Sequence, residues 1–237
     1  MNIQNKNAKN KKVKAVIFDF NGTLIYDSPI HCQVWREFIP ANGGGKITDE
    51  DFEKRILGRD NAQILTNFFG KLTDSQIEQM AYEKEAEYRR RCRISDAFRL
   101  VDGAAEFLDW LKDHGYPMTI ATGSEAGNVN FYFESPELGL TKWFDRDKVV
   151  YDDGSFVGKP EPEIYLRAAA AIGQKCEDCI VFEDSLSGVL AARRAGAAYV
   201  VALGLGAEKE KFFDAGGVDL AVEDFCDFME FPGFDND

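Results

Sequence analysis

Short apolar runs separated by amphipathic stretches organise this chain. Residues 13–18 are almost continuously apolar and stop at Asp19, the pattern of a strand buried on both faces. Runs of the same kind recur over 117–121, 148–150, 179–182 and 199–203. Between most of them apolar residues repeat at helical spacing, over 104–112, 163–171 and 186–195. Strands alternating with helices predict an α/β fold, a doubly wound parallel sheet with helices on both faces.

The alternation fails once, after the first run. The interval 27–98 carries helical patterns over 30–39, 51–57, 62–69 and 75–93 and almost no strand signal. It predicts an all-helical domain inserted after the first strand. The expected organisation is therefore a disordered Asn- and Lys-rich leader over 1–12, an α/β core over 13–26 and 99–237, and a helical domain over 27–98. Gly43, Gly44 and Gly45 mark a turn between the first two helices, because consecutive glycines carry a large entropy cost in a helix. The acidic tail 223–237, interleaved with Phe225, Phe228, Phe231 and Phe234, reads as a final helix packed on the sheet edge with a frayed end.

Composition narrows the partners. The chain has 237 residues with 41 acidic against 28 basic side chains, a formal net charge of −13. That balance argues against nucleic acid and against an anionic membrane surface, both of which need clustered Lys and Arg. No apolar run approaches the length of a membrane span, and the polar start resembles no signal peptide, so the expected location is the cytoplasm, as a monomer or weak homodimer. Five scattered cysteines read as reduced thiols. Cys176 and Cys179 have redox-motif spacing but precede a strand rather than open a helix, which favours a structural role.

In open parallel sheets ligands bind beyond the carboxyl ends of the strands. Four such places carry complementary chemistry: Asp19-Phe20-Asn21-Gly22-Thr23, Thr122-Gly123-Ser124, Gly158-Lys159-Pro160 and Glu183-Asp184-Ser185. Each residue has a plain structural alternative. Asp184 suits a helix N-cap, Thr122 a hydroxyl cap, Lys159 a solvated loop. Together, however, they supply three carboxylates, a hydroxyl, an ammonium and loop N–H groups. Phosphoryl transfer needs this set: carboxylates to hold a hard cation such as Mg²⁺, and fixed donors for the charge of the transferring group.

These four motifs, in this order, resemble the haloacid dehalogenase superfamily in its branch with a helical cap after the first strand. The stretches Asp27-Ser28-Pro29-Ile30-His31 and Gly158-Lys159-Pro160-Glu161-Pro162 resemble β-phosphoglucomutase and related sugar-phosphate phosphatases within that branch. The resemblance implies a Mg²⁺-dependent phosphatase for a small phosphate ester, with a cap that closes over the substrate. It makes Asp19 the nucleophile that forms an aspartyl-phosphate. Thr122 and Lys159 then bind the phosphoryl oxygens, helped by Gly123 and Ser124. Asp19, the Asn21 backbone carbonyl, Glu183 and Asp184 form the metal shell. From the cap it implies that His31, Gly58, Arg59, Asn61 and Lys84 contact substrate, although His31 equally suits a structural role beside Val34 and Trp35.

The sequence departs from the family at Asn21. Most phosphatases and mutases of the family carry Asp here as general acid and base, and an amide has no titratable proton. The missing contribution is typically 10² to 10⁴ in rate, about 3 to 5 kcal/mol. Several accounts fit: an ester with a good leaving group, a proton from a cap residue such as His31, or a binding protein that no longer turns over. Slow deamidation of Asn21-Gly22 would also restore an Asp. Phosphoryl transfer to a sugar hydroxyl, as in a mutase, is a further enzymatic reading. The superfamily's dehalogenases also lack this Asp, but they do not need the metal that Glu183 and Asp184 suit.

Overall fold

The computed structural model describes residues 11–56, 59–204, 211–213, 216–226, 228 and 233–234. Contacts divide the chain into two compact units, 1–26 with 99–237 and 27–98. The leader's first ten residues, along with Gly58 and Phe231, lie outside the described residues. At Lys11 the backbone N–H donates to the Tyr199 hydroxyl at 3.1 Å.

The first unit is built on a six-stranded parallel sheet of order β3-β2-β1-β4-β5-β6. The strands are β1 (Ala15–Phe18), β2 (Met118–Glu125), β3 (Val150–Asp152), β4 (Cys179–Glu183), β5 (Tyr199–Leu203) and β6 (Leu220–Val222). The helices of this unit include α5 (Ala104–Asp113), α6 (Ala126–Glu134), α7 (Glu163–Ala171) and α8 (Leu186–Arg194). The direction of chain progression reverses at β1, whose neighbours are β2 and β4. That reversal opens a crevice at the carboxyl ends of the central strands.

Packing follows the apolar pattern. Every residue of β1, β4 and β5 is buried. One sheet face packs Ile17, Val181 and Val200 against Tyr165, Ala168, Val189 and Ala192. Elsewhere in the unit Phe18 stacks on Phe182 with centroids 5.1 Å apart, joined by Phe107, Phe225 and Phe228. Truncating one such buried ring to Ala typically costs about 3–5 kcal/mol.

Five elements differ from the sequence expectation. β2 runs on through Thr122, Gly123 and Ser124 to Glu125, because β3 pairs beside it with a register shift between Ala121 and Glu125. β3 begins at Val150, the segment Arg146–Lys148 being a 3₁₀ turn capped by Asp145. α6 and the short β6 were not anticipated. No final α-helix occurs among the described tail residues, which form bends and turns with a 3₁₀ position at Phe228. The tail's Phe225, Phe228 and Phe234 are nevertheless buried, against aromatic rings that include Phe107.

The second unit contains α1 (Ser28–Ala41), α2 (Asp49–Arg55), α3 (Asn61–Phe69) and α4 (Asp74–Cys92). Thr48 and Thr73 close reciprocal capping boxes with Asp51 and Gln76, and Asp60 caps α3 through the Gln63 N–H. These caps set the helix starts. Trp35, Ile39, Phe52, Ile56, Ile64 and Leu65 form a separate core. Among the described residues no helix is long and apolar enough to cross a membrane.

Candidate active site

Asp19 follows β1 directly, and its N–H donates to the Phe182 carbonyl at 2.9 Å, which prolongs the β1–β4 ladder. The ladder sets Asp19 beside Glu183, the last residue of β4. The loop that follows folds back sharply: Gly22 has φ +78°, and the Leu24 N–H donates to the Phe20 carbonyl at 2.8 Å. Carboxylate oxygens of Asp19, Glu183 and Asp184 all lie within 4.8 Å of one another.

Lys159 joins two of these acids. Its ammonium donates to both Asp19 and Glu183, and its face-on aromatic neighbour is Tyr165, 5.2 Å away. Burial would lower the Lys159 pKa, but the charges of Asp19 and Glu183 outweigh it and hold the ammonium above its ordinary value. Burial would likewise raise the Glu183 carboxyl. The Lys159 charge and hydrogen bonds from Lys159 and Tyr165 prevail and keep it below the usual range.

Glu183 is fully buried and engaged at both oxygens. Oε1 accepts from Tyr165 at 2.7 Å and from Lys159. Oε2 accepts from the Asp184 N–H at 2.9 Å, the Ser185 N–H at 2.8 Å and the Ser185 hydroxyl at 2.9 Å. Ser185, rather than Asp184, caps α8, through the Gly188 N–H. Three clustered carboxylates form a hard oxygen set that fits a divalent cation such as Mg²⁺. Glu183 also anchors Lys159 and the start of α8.

Thr122 is 1% exposed. Its hydroxyl accepts from the Ser124 N–H at 3.1 Å, a local cap, and donates to Asn21 Oδ1 at 3.2 Å. Ser124 also donates to Asn21 Oδ1, at 2.8 Å, and Asn21 Nδ2 donates to the Tyr132 hydroxyl at 2.9 Å. Asp19, Asn21, Thr122, Ser124, Lys159, Glu183 and Asp184 all come from strand ends or the loops beyond them, in one unit, and Gly123 lies between Thr122 and Ser124 in β2.

In the helical unit His31, Lys84 and Asn61 come together. The His31 ring stacks on Tyr88 at 3.8 Å, with Nε2 3.3 Å from the Asp27 carboxylate and Nδ1 3.0 Å from Lys84 Nζ. Lys84, 2% exposed, also donates to Glu85 at 2.8 Å, and Asn61 donates to the same Glu85 oxygen at 2.8 Å. Arg59 is not in this cluster; its guanidinium donates to the Lys54 carbonyl at 2.9 Å.

Sequence reasoning missed Tyr132, Tyr165, Asp27 and Glu85. The Asp27–His31 spacing of one helical turn was a usable signal; the two tyrosines carried none.

Comparisons with known proteins identify relatives of the whole chain. A phosphorylated carbohydrates phosphatase of Thermotoga maritima is 32% identical over 187 residues, 78% of this chain and 82% of its own. The β-phosphoglucomutase of Bacillus subtilis is 26% identical, with 91% of each chain covered. A solved HAD hydrolase, family IA, variant 3, from Entamoeba histolytica superposes with a TM-score of 0.83 at 37% identity, over 90% of this chain and 94% of that one. The model of the haloacid dehalogenase-like hydrolases matches residues 13–196, and with the site geometry above it places the protein: this chain belongs to the haloacid dehalogenase-like hydrolase family.

Proposed function

We propose that this protein is a Mg²⁺-dependent phosphatase of small phosphorylated, sugar-like metabolites, working through an aspartyl-phosphate. The observation that carries the reading is the Asp19 carboxylate at the end of β1, ion-paired to Lys159 and clustered with Glu183 and Asp184. An Asp19 oxygen attacks phosphorus as the bond to the leaving oxygen breaks; water then attacks the same phosphorus, releases phosphate and returns the carboxylate. Lys159 holds the nucleophile in place and meets the charge on the transferring group. Thr122, Gly123 and Ser124 complete that role. Asp19, Asp184, Glu183 and the Asn21 backbone carbonyl would hold Mg²⁺, which when bound would supply positive charge to offset repulsion between a carboxylate and an anionic ester. The names of the relatives from Thermotoga maritima and Bacillus subtilis support the substrate class. The family resemblance assigns substrate contact in the helical unit to His31, Gly58, Arg59, Asn61 and Lys84.

Asn21 favours one competing reading, a phosphometabolite-binding protein without turnover. Phosphate release from a panel of sugar phosphates with Mg²⁺ separates the two. Release that Asp19→Asn abolishes is expected. Binding of sugar phosphates with no release from any ester in the panel would overturn the enzymatic reading.

A further inference from the structure

The buried side of α4 carries an ion pair where apolar side chains would pack as well. Lys84 and Glu85 are consecutive, 2% and 4% exposed, and joined at 2.8 Å. Lys84 Nζ lies 4.8 Å from the ring centroid of Trp35, a member of the helical unit's apolar core, and 5.6 Å from that of Tyr88. Taking two charges out of water costs about as much as their attraction returns, so such a pair adds little stability over packed apolar residues. What it contributes is the charge it presents to a ligand.

The neighbours set the sign of that charge. Lys84 also reaches His31 Nδ1 at 3.0 Å; an ammonium only donates, so Nδ1 accepts and the ring proton lies on Nε2, 3.3 Å from the Asp27 carboxylate. Tyr88 donates to Asp27 at 2.6 Å, and Asn61 donates to the same Glu85 oxygen that takes Lys84. Of these six side chains only Lys84 carries a fixed positive charge, against the carboxylates of Asp27 and Glu85. Arg59 spends its guanidinium on the Lys54 carbonyl instead.

We propose that Glu85 is a positioning residue that sets substrate specificity: it holds Lys84 in place and balances its charge, so that this cluster accepts the hydroxyls of a sugar or polyol and rejects a second phosphate. The inference rests on the phosphatase reading above, in which His31, Asn61 and Lys84 meet the substrate, and it narrows the substrate class to monophosphates. A hydroxyl suits the cluster because it both accepts and donates. A phosphate dianion only accepts, and it brings charge that Glu85 and Asp27 oppose.

Matched pairs supply the test: glucose 6-phosphate against glucose 1,6-bisphosphate, and fructose 6-phosphate against fructose 1,6-bisphosphate, with wild type, Glu85→Gln and Glu85→Asp. With Mg²⁺, wild type is expected to prefer each monophosphate by at least about tenfold in kcat/KM. Glu85→Gln keeps the shape and removes the charge, and should narrow that preference at least about tenfold through KM for the bisphosphate rather than through kcat. Glu85→Asp keeps the charge and should keep the preference; a merely structural role would not separate the two kinds of ester. Melting in EDTA reads binding without turnover: the bisphosphates should raise the Tm of Glu85→Gln by at least about 3 °C more than that of wild type. Wild type that takes bisphosphates as readily as monophosphates, or a folded Glu85→Gln with unchanged preference, would overturn the proposal, as would the absence of a melting shift with all four compounds in every protein. Should neither variant fold, the wild-type ratios in turnover and melting decide it. No phosphate from any ester, with the melting difference present, would instead sink the phosphatase reading and leave the role of Glu85 standing.

Discussion

Glu183 lies against the bare α-carbon of Gly188, so closely that a β-carbon there would stand 1.7 Å from Oε1 and 1.9 Å from Cδ. Gly188 belongs to the first turn of α8, where its N–H donates to Ser185 Oγ at 3.0 Å. Alanine in a helix normally stabilises relative to glycine by about 0.5–1 kcal/mol. At this position the sign should reverse. Gly188→Ala must displace a buried carboxylate that receives Lys159, Tyr165 and Ser185, and overpacking of this kind costs about 1–3 kcal/mol. Thermal melting should show the loss, and phosphate release should fall with it. An unaltered melt together with unaltered turnover would refute the steric argument.

Tyr165 is the neutral donor to that same carboxylate, and burial raises its own pKa well above the ordinary value. Tyr165→Phe keeps the ring beside Lys159 and removes the proton given to Glu183. Leaving a buried charged acceptor short of one donor costs about 1–3 kcal/mol. The expected result is a lower denaturation midpoint at unchanged slope. Tyr165→Leu, which also removes the aromatic face 5.2 Å from Lys159, should lose more.

What the sequence disclosed and what it hid follow from range. Asp19, Thr122, Lys159 and Glu183 could be picked out because each ends an apolar run or follows a short turn, a pattern visible within a few residues. The helical insertion was legible for the same reason, and the described starts of α2 and α4 moved only as far as the Thr48 and Thr73 caps dictate. Tyr132 and Tyr165 were not, since their roles depend on partners 111 and 18 residues away that only the folded sheet brings near. α6 was missed because its buried face mixes Asn128 with Val129, Phe131 and Tyr132, which blurs the apolar period. Phe225, Phe228 and Phe234 of the tail do pack in the core, but the described tail residues form no periodic α-helix.

Thr23 is completely buried, and its hydroxyl is a buried polar atom without a hydrogen-bond partner. Such a group keeps its desolvation cost with nothing gained in return. Thr23→Val preserves the shape and removes that cost, so it should stabilise the fold by about 1 kcal/mol. Urea titration of the two proteins measures this directly. A destabilised variant would show that the hydroxyl has a partner in solution.

Burial pushes the thiols of Cys92, Cys176 and Cys179 up to about 12, whereas Cys226 is exposed. The thiolate is the reactive form, so a disulfide reagent near neutral pH should label Cys226 first and reach these three only on unfolding. Their folded values lie above the ordinary value of 9. Their contribution to stability is therefore intact below that pH and is lost progressively as pH climbs from 9 toward 12. Melting temperatures across that range should fall. Rapid labelling of Cys176 and Cys179 in the native protein would also restore the redox reading of their spacing.

Asn21-Gly22 has the sequence of a deamidation site, yet the fold opposes the reaction. Ring closure requires the Gly22 nitrogen to attack the Asn21 side-chain carbonyl carbon with loss of ammonia. The Gly22 N–H is committed to the Ile25 carbonyl at 3.1 Å, and the Asn21 amide is held by Tyr132 at one end and by Ser124 and Thr122 at the other. Native protein should therefore keep its mass on prolonged storage, while urea-unfolded protein gains the increment of an amide-to-acid conversion at this peptide. Tyr132→Phe, which removes one hydrogen bond from the amide, should speed the native reaction. Peptide mapping by mass spectrometry reads all three. Equal rates in the folded and unfolded chains would mean that the hydrogen bonds around Asn21 do not restrain it, and would return ageing to the list of ways in which this position acquires a carboxylate.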